Sequence, residues 1–442
     1  MKRKEREEER LCRSRSKIGP IAVDLKTARV TRLPARSTHQ EALPQSMKRK
    51  KEADGNETSP SSKFDSLPFD LKMAIVSRMG AKSLMKFRCV SKIWSSIIRS
   101  RGFIDSFFSM SSKQSRFIVA LANGVCNEPE AKLTFFFSFG ESCSSSSLVP
   151  NLEMAIPVGL SSIRESFASL HGFLTVGVHG GLMVCNPSTE QVIKLHSSTR
   201  FVGYDPIEGQ HKALFVESRV SRSSVHHHLD HKVLTLGGGS CQEWRLIEGT
   251  PGPYRPISVG VCVNGVIYYG ARNSPHFRNP VMVCFDVRTE KLSFIQAHET
   301  LLRWGKDSIF IDYNGKLASI VRYPYDRFNS FDLWILEDPV KHEWSKQHCV
   351  FPSSVWDSVW GFEMSFPGTN KDGEIIMAPT SLSPEVGPFY IFYYNVKTQN
   401  VRRVRLLGIG DNKEFRRSYG FLKQRDCFVR IAPQHVHSIA SL

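Results

Sequence analysis

The chain has 442 residues, 41% of them hydrophobic, which is long enough and apolar enough for two or three folded domains. No apolar stretch approaches the roughly 18 residues that a membrane span needs, and no apolar segment of a secretory signal follows the basic N-terminus. We therefore expect a protein of the nucleus, the cytoplasm or both, without membrane association. The ten cysteines form no Cys-x-x-Cys pair, so we expect reduced thiols, no metal and no cofactor.

The net charge of +17 is concentrated near the N-terminus. Residues 1–63 carry 17 Lys and Arg against 9 Asp and Glu, and residues 64–105 carry 8 against 3. The remaining 337 residues carry 34 against 30, a net charge of only +4. This nearly neutral C-terminal part argues against a main domain that grips a phosphate backbone.

Residues 1–63 form a polar, charged segment with the basic clusters KRK (2–4) and KRKK (48–51). Few large apolar residues and no sustained periodicity occur in it, which predicts a disordered tail. The basic clusters fit a nuclear localisation signal or a solvated run of charge, and both interpretations stay open.

Residues 64–105 have the pattern of a small module of three helices. Pro68 suits the first turn of a helix, Gly80 is expected to end that helix, and Ser91 can cap the third. Apolar residues follow at helical spacing, namely Leu71, Ile75, Val76 and Met79, then Leu84, Phe87 and Val90, then Trp94, Ile97 and Ile98. So short a module buries little surface, so it either packs on the rest of the chain or presents an apolar face to a partner.

From about residue 116 onward, short β-type runs alternate with turn signals. The strongest hairpin signals are Asn264-Gly265, Asn314-Gly315 and Asp372-Gly373. A second signal repeats as Asn/Asp-x-x-Thr-x-x-apolar, in NPSTEQV (from Asn186), DVRTEKL (from Asp286) and NVKTQNV (from Asn395), with a weaker copy DPVKHEW (from Asp338) and the turn GGGSCQEW near residue 238.

These repeated hairpins are 52, 48, 52 and 57 residues apart. Four strands in about fifty residues is the period of a kelch-like β-propeller blade, and five such units are present. LTFFFSFG (133–140) is expected to begin a sixth blade, closed by C-terminal strands around Tyr419–Ile431. An irregular β-sandwich with evenly spaced hairpins is the alternative.

Three segments suggest chemistry and are weighed against simpler structural roles. HHHLDH (226–231) offers metal ligands, but adjacent histidines rarely converge on one ion, and we expect a solvated loop. Cys89 has no His within residues 64–105 to activate it, which favours a buried helical cysteine over a nucleophile. The basic residues of the helical module suit a nucleic-acid-binding helix, although its broad apolar face favours packing: Lys86, Arg88, Lys92, Arg99 and Arg101.

The segment FDSLPFDLKMAIVSRMGAKSLMKFRCVSKIWSSIIRSRGFIDSFF (64–108) resembles an F-box of the large plant family. It matches Leu-Pro-x-Asp-Leu at 67–71, Lys-Ser-Leu at 82–84 and Phe-Arg-x-Val-Ser-Lys-x-Trp at 87–94. It departs from the family pattern at Ala74, Val76 and Met79-Gly80, and the glycine is expected to loosen the corner between helices. Segments in residues 116–432, such as VCNPSTEQVIKL and VCFDVRTEKLSFI, are similar in order to the type 3 F-box-associated domain.

This resemblance implies a small all-α F-box followed by an F-box-associated domain, for which the hairpin spacing predicts an all-β propeller-like fold of about six blades. It also implies a non-catalytic substrate receptor of an SCF-type cullin–RING ubiquitin ligase, with an unknown target protein. The residues that the resemblance places in contact with a Skp-type adaptor are Leu67, Pro68, Leu71, Ile75, Leu84, Val90 and Trp94. Of these, Leu84 and Trp94 are also expected in the core of the module. A nucleic-acid binder using the basic N-terminal half and a propeller enzyme are the alternatives.

Overall fold

A computed structural model describes the chain from residue 67 to residue 441, with gaps. The described residues are 67–113, 116–124, 131–139, 147–148, 151–157, 167–178, 181–196, 199–220, 227–237, 243–249, 252–273, 278–302, 308–322, 329–352, 363–421 and 427–441. The basic tail predicted for residues 1–63 lies outside them.

Four helices, one more than predicted, open the described part of the chain. They are α1 (Phe69–Ser77), α2 (Ala81–Phe87), α3 (Lys92–Arg99) and α4 (Arg101–Ser112). Pro68, predicted in the first turn of a helix, is instead the N-cap residue directly before α1. As the sequence predicts, the Ser91 hydroxyl caps α3 by accepting a hydrogen bond from the Trp94 amide at 3.4 Å. The expected role of Gly80 is wrong, because α1 ends at Ser77 and Gly80, with φ of −70°, is the N-cap of α2.

Strands fill the rest of the described chain. The first twelve are β1 (Arg116–Ala122), β2 (Leu133–Phe139), β3 (Ser147–Leu148), β4 (Asn151–Ile156), β5 (Phe167–Leu170), β6 (Phe173–Val178), β7 (Gly181–Asn186), β8 (Gln191–Lys194), β9 (Thr199–Asp205), β10 (Gln210–Val220), β11 (His227–Leu236) and β12 (Arg245–Leu246). The others are β13 (Tyr254–Pro256), β14 (Val261–Val263), β15 (Val266–Asn273), β16 (Asn279–Asp286), β17 (Leu292–Gln296), β18 (Ser308–Tyr313), β19 (Lys316–Arg322), β20 (Ser330–Asp338), β21 (Glu343–Val350), β22 (Met364–Thr369), β23 (Ile375–Pro379), β24 (Phe389–Asn395), β25 (Asn400–Leu406) and β26 (Phe428–His435). A 3-10 turn (Glu299–Leu302) follows β17, and a short helix α5 (Lys413–Ser418) follows β25.

The strands pair into six sheets, which are the blades of a propeller. Blade 1 has the order β26-β1-β2-β4, blade 2 is β5 to β8, and blade 3 is β9 to β12. In blade 4 the short β13 and β14 both pair with β15, followed by β16 and β17. Blade 5 is β18 to β21, and blade 6 is β22 to β25. The prediction of about six blades is confirmed, and the β-sandwich alternative is wrong.

The ring closes through strands from both ends of the domain. The C-terminal strand β26 takes the innermost position of blade 1 by pairing antiparallel with β1. The short β3, which lies between β2 and β4 in sequence, pairs parallel with β25 at the outer edge of blade 6. Closure by a late strand was predicted, but the blade begins at Arg116 rather than at residue 133, and Tyr419 lies just after α5.

Six clusters of buried apolar side chains fill the spaces between neighbouring blades. Strand β1 shows why its sequence is a continuous apolar run rather than an alternating one. Phe117, Val119 and Leu121 face blade 6, whereas Ile118 and Ala120 face blade 2. Because successive side chains point to opposite faces, a strand covered on both sides needs apolar residues at every position.

The repeated sequence signals form two kinds of hairpin. The Asn-Gly turns connect the first and second strands of blades 4 and 5, with positive φ at Asn264 (48°) and Asn314 (53°). The Asn/Asp-x-x-Thr turns connect the third and fourth strands. In the turn after β16, for example, the Asp286 carboxylate accepts a hydrogen bond from the Thr289 amide at 2.7 Å and Glu290 has φ of 59°.

Candidate functional site

The four N-terminal helices share a small apolar core. Leu84 and Trp94 are completely buried, and Phe103 and Phe107, one turn apart on α4, pack into the same cluster. Ile439, from the segment after β26, belongs to this cluster as well. The core of the helical module is therefore completed by the C-terminal end of the propeller domain.

The same module leaves an unusual number of large apolar side chains exposed. The exposed fractions are 63% for Phe69, 52% for Leu71, 37% for Ile75, 60% for Val90 and 42% for Ile93. Leu71 and Ile75 are four residues apart and lie on one side of α1. Exposed apolar residues gathered on one small module are typical of a protein-binding surface.

Helix α4 holds the module against the propeller through an aromatic stack. The His171 ring, in the turn between β5 and β6, has its centroid 3.6 Å from that of Phe108 and 3.9 Å from that of Tyr204. Polar contacts flank the stack, because Arg101 donates to the carbonyl of Glu208 at 2.9 Å and the Lys371 ammonium donates to the carbonyl of Ser112 at 3.1 Å.

The segment after β26 is the second connection between module and propeller. The Asn186 amide donates to the carbonyls of Ser438 and Ala440, at 3.0 and 3.1 Å. Gly172 lies so close that a Cβ at its position would be 2.3 Å from the Cβ of Ser438. This segment therefore runs tightly along blade 2 before Ile439 enters the helical core.

A cavity of about 1070 Å³ occupies the centre of the propeller. It is lined mainly by residues on or beside the innermost strands of the blades, including Ser169 of β5, Arg200 of β9 and Ile311 of β18. Its volume is just above the usual range of ligand pockets, about 300 to 1,000 Å³. The cavity is therefore large enough for a peptide segment or a small ligand.

The His-rich stretch is part of a sheet, not the solvated loop that was expected. His226 lies outside the described residues, and strand β11 begins at His227 and pairs with β10 over its whole length. His231 is buried, and its Nε2 is hydrogen-bonded to the Tyr254 hydroxyl at 2.6 Å. Alternation along a strand separates neighbouring histidines, and among the described residues no group of three His, Cys, Asp or Glu side chains is placed to hold a metal.

The cysteines among the described residues occur mainly inside the blades, as the sequence predicted for several of them. Cys185, Cys284, Cys349 and Cys427 are buried and unpaired, and burial raises the pKa of the Cys185 thiol to about 12. Such thiols stay protonated and pack as small apolar groups. In the part of the chain that the structure describes, no helix is long and apolar enough to cross a membrane.

Comparison with known proteins identifies both folded parts. A model of the F-box domain matches residues 64–106, and a model described as the F-box associated beta propeller domain matches residues 120–436. The chain belongs to the F-box protein family. Residues 67–113, with helices α1 to α4, are called the F-box module below.

Two relatives from Arabidopsis thaliana align with this chain over most of their length. The protein At1g32660, described by its name as an F-box protein, is 56% identical over 451 residues, which covers 100% of this chain and 98% of the relative. F-box protein DOR is 35% identical over 355 residues, covering 74% of this chain and 85% of that protein. The resemblance to a plant F-box protein with a type 3 associated domain is thus confirmed. Among solved structures, TolB from Acinetobacter baumannii aligns with a TM-score of 0.38 and 10% identity, over 72% of this chain and 66% of that chain.

The structure divides the predicted adaptor-binding residues of the F-box module into two groups. Leu71, Ile75 and Val90 are exposed, as is Pro68, and Leu67 is half-buried. Leu84 and Trp94 have no exposed surface, so they belong to the core and support the module from inside.

Three exposed apolar residues of the F-box module were missed from the sequence, and one further side chain was misplaced. Phe69, Ile93 and Met110 belong to the exposed apolar set, although none is a position of the family pattern. Cys89, expected to be buried, is exposed in the turn after α2. Beside it, Arg88 is half-buried and its Nη1 contacts the Met85 sulfur at 3.3 Å. The signal for Phe69 was its large apolar side chain beside a helix N-terminus, where no preceding turn covers it.

Proposed function

We propose that this F-box protein is the substrate-recognition subunit of an SCF-type cullin–RING ubiquitin ligase. Its F-box module binds a Skp-type adaptor, and its propeller holds a target protein. The chain itself performs no bond chemistry and acts by raising the effective concentration of the target beside the ubiquitin-carrying enzyme. The function belongs to the nucleus, the cytoplasm or both, and the basic clusters at 2–4 and 48–51 suit nuclear import.

The observation that carries this proposal is the uneven distribution of exposed apolar side chains. Of the twelve large apolar side chains exposed in the described residues, six lie in the F-box module, which is a small part of that chain: Phe69, Leu71, Ile75, Val90, Ile93 and Met110. Burying such side chains in a partner contributes about 25 cal/mol per Å² of apolar area. The module therefore has a surface suited to stable docking.

The contacts between the F-box module and the propeller support the second half of the proposal. The Phe108–His171–Tyr204 stack and the Arg101–Glu208 hydrogen bond fix α4 on blades 2 and 3. The C-terminal segment adds Ile439 to the module's core. A target bound to the propeller is consequently held at a defined position relative to a bound adaptor, as a ligase scaffold requires.

Co-purification with a Skp-type adaptor tests the proposal. The full chain is co-expressed with the adaptor, alongside the double variant Leu71→Asp, Val90→Asp. Because both side chains are exposed, the variant should fold normally, and two charges in the docking surface should weaken adaptor binding at least about tenfold.

The matched control is Val340→Asp, which changes an 87%-exposed valine in a turn of the propeller. It should co-purify with the adaptor like the unchanged chain. Equal adaptor binding by the double variant would argue against docking through this surface. Salt-sensitive binding of DNA by the unchanged chain, without any adaptor binding, would favour the nucleic-acid alternative instead.

A further inference from the structure

The central cavity of the propeller, called the channel below, is lined by residues from both ends of the innermost strands, and we call these two ends its mouths. Hydrogen bonds between blades mark one of them. The Asn264 amide donates to the Gly315 carbonyl at 2.8 Å, the Thr369 hydroxyl to the Asp312 carbonyl at 3.3 Å, and the Gln434 amide to the Thr369 carbonyl at 2.7 Å. These residues lie at or near the C-terminal ends of innermost strands or in the turns that follow. All innermost strands joined by these bonds therefore end on the same side.

The F-box module contacts this same side. His171 follows β5, Glu208 follows β9 and Lys371 follows β22, and these are the residues that touch helix α4 or the residue after it. We call this side of the channel the near mouth. The opposite side, where the innermost strands begin, is the far mouth, and it faces away from the F-box module.

The charged residues that line the channel are divided unequally between the two mouths. At the near mouth, the opposite charges of Asp312 and Lys371 balance one another. At the far mouth the described lining residues include one acid, Glu363, and a set of four arginines: Arg200, Arg255, Arg322 and Arg430. Arg322 ends β19, next to the beginning of the innermost strand β18. Among the described lining residues, the far mouth therefore has an excess of positive charge.

This excess is a local feature, since residues 106–442 carry only 34 Lys and Arg against 30 Asp and Glu. Each arginine comes from a different blade: Arg200 from blade 3, Arg255 from blade 4, Arg322 from blade 5 and Arg430 from blade 1. Arg200 and Arg255 are exposed, Arg322 is half-buried and Arg430 is buried in the channel wall. The guanidinium groups are thus distributed around the mouth instead of converging on one point.

Distributed guanidinium groups fit a ligand with several spaced carboxylates, because each planar fork can pair with one carboxylate. A nucleic acid also offers spaced negative charges, but single strands bind through bases stacked on accessible aromatic rings. The phenylalanines on the described channel wall are buried or half-buried: Phe167, Phe310 and Phe366. The described part of the far mouth therefore suits an acidic peptide better than a nucleic acid.

We propose that the far mouth, through Arg200, Arg255 and Arg322, binds an extended acidic segment of the target protein. This inference rests on the proposed function, in which the propeller holds the target. It adds the position of the target site, on the face opposite the F-box module, and the chemistry that the site recognises. Electrostatic attraction at this mouth also steers acidic targets toward the face that the adaptor leaves open.

Fluorescence anisotropy with a labelled oligo-glutamate peptide tests the proposal on the full chain in complex with its adaptor. The double variant Arg200→Glu, Arg255→Glu reverses two exposed charges at the far mouth and should weaken peptide binding at least about tenfold. Binding to the unchanged protein should also weaken as salt is raised, because the interaction is between exposed charges.

The matched control is Arg403→Glu, which reverses an exposed charge on β25. This strand is the fourth of blade 6 when counted outward from the channel. It should bind the peptide within about twofold of the unchanged chain. Equal affinity of all three proteins would overturn the proposal, since the peptide would then bind elsewhere, for example to the basic residues 1–63. Tighter binding of a single-stranded RNA of matched charge, with the same dependence on Arg200 and Arg255, would overturn the peptide assignment.

Adaptor binding is measured on the same samples. If the unchanged chain binds the adaptor but not oligo-glutamate, the far-mouth proposal fails and the proposed function stands. If the chain binds oligo-glutamate at the far mouth but no Skp-type adaptor, the proposed function fails, and with it the role of the bound segment as part of a ligase target.

Discussion

The ring of Phe108 on the F-box module lies flat on the imidazole of His171 in the propeller, with centroids 3.6 Å apart. His171 is a turn residue with φ of 45°, so the hairpin between β5 and β6 fixes where the imidazole lies. The other face of the imidazole is covered by Tyr204. The Phe108 side chain of α4 therefore packs on blade 2 directly and on blade 3 through His171. Substitutions in this stack test how firmly the F-box module and the propeller are coupled.

Phe108→Ala should loosen the F-box module from the propeller. We expect the free energy of unfolding to fall by about 1 to 3 kcal/mol, since a half-buried ring and its stacking partner are lost. Amide hydrogen exchange along α4 should become faster. Met110→Ala is the control, because Met110 is on the same helix and 46% exposed, and its loss should cost less than about 0.5 kcal/mol. Unchanged exchange along α4 in the Phe108 variant would show that the stack does not couple the domains.

Acid should destabilise the protein through two histidines, the half-buried His171 and the buried His211. Burial lowers the pKa of His171 to about 4, and burial is also the main cause that lowers the pKa of His211 to about 3. In the unfolded chain the same groups titrate near about 6.5, so on acidification the unfolded state takes up protons first. The stability that these neutral histidines contribute is therefore fully present above about pH 7. It is lost as the pH drops from about 6.5 through about 4 for His171 and about 3 for His211.

Thermal unfolding of the full chain at neutral pH and at about pH 5 measures this effect. The variant His171→Asn keeps a residue that tolerates positive φ and removes one titrating group. It should have a lower Tm at neutral pH, because the stack is lost, but a smaller drop in Tm on acidification. An equal drop in both proteins would show that His171 does not contribute to the acid sensitivity.

Gly172→Ala should displace the C-terminal segment. The added Cβ would lie 2.3 Å from the Cβ of Ser438, which cannot rotate away, and φ at this glycine is +87°. Gly408→Ala is a closely matched control, with φ of +82° and no atom within 4 Å of the added Cβ. Both variants carry the backbone penalty of about 1 kcal/mol.

Only Gly172→Ala should also lose the packing of Ile439 in the F-box module. We therefore expect a clearly larger decrease of Tm and greater protease sensitivity near residues 436–441. If the two glycine variants lose equal stability, the close approach to Ser438 does not constrain the segment.

Leu84→Ala and Val90→Ala should distinguish a core residue of the F-box module from a surface residue. Leu84 is completely buried, so its truncation should cost about 2 to 5 kcal/mol of stability. Val90 is 60% exposed, so its truncation should change stability by less than about 0.5 kcal/mol while weakening adaptor binding. Chemical denaturation and an adaptor pull-down on both variants check the distinction. A Val90 variant with reduced stability and unchanged adaptor affinity would contradict it.

Local signals explain most of what could be predicted from the sequence. A turn such as Asp286 to Glu290 needs only a carboxylate that accepts a nearby amide and one residue that tolerates positive φ. The Ser91 cap of α3 involves only residues within one helical turn. Because each of these features is complete within a few residues, their spacing in the sequence was enough to indicate helices, hairpins and the blade period.

Features that depend on contacts between distant residues were missed or misassigned. The sequence did not show that β1 at Arg116 begins the first blade, or that the stretch from His227 is a strand, because pairing partners decide both. In the apolar helical pattern of the sequence, the buried Trp94 cannot be distinguished from the exposed Val90. Only the packing of the four helices with Ile439 distinguishes them.

The sequence by itself determined the kind of protein: a basic tail, a short F-box module and a domain of repeated four-stranded units, since composition, caps and turns are local properties. Only the tertiary structure decided which surfaces those units present. Four arginines that are more than fifty residues apart in the chain lie at one mouth: Arg200, Arg255, Arg322 and Arg430. They are brought together because the blades form a ring, which β26 closes. Proximity of this kind depends on the geometry of the whole ring, which no local stretch of sequence specifies.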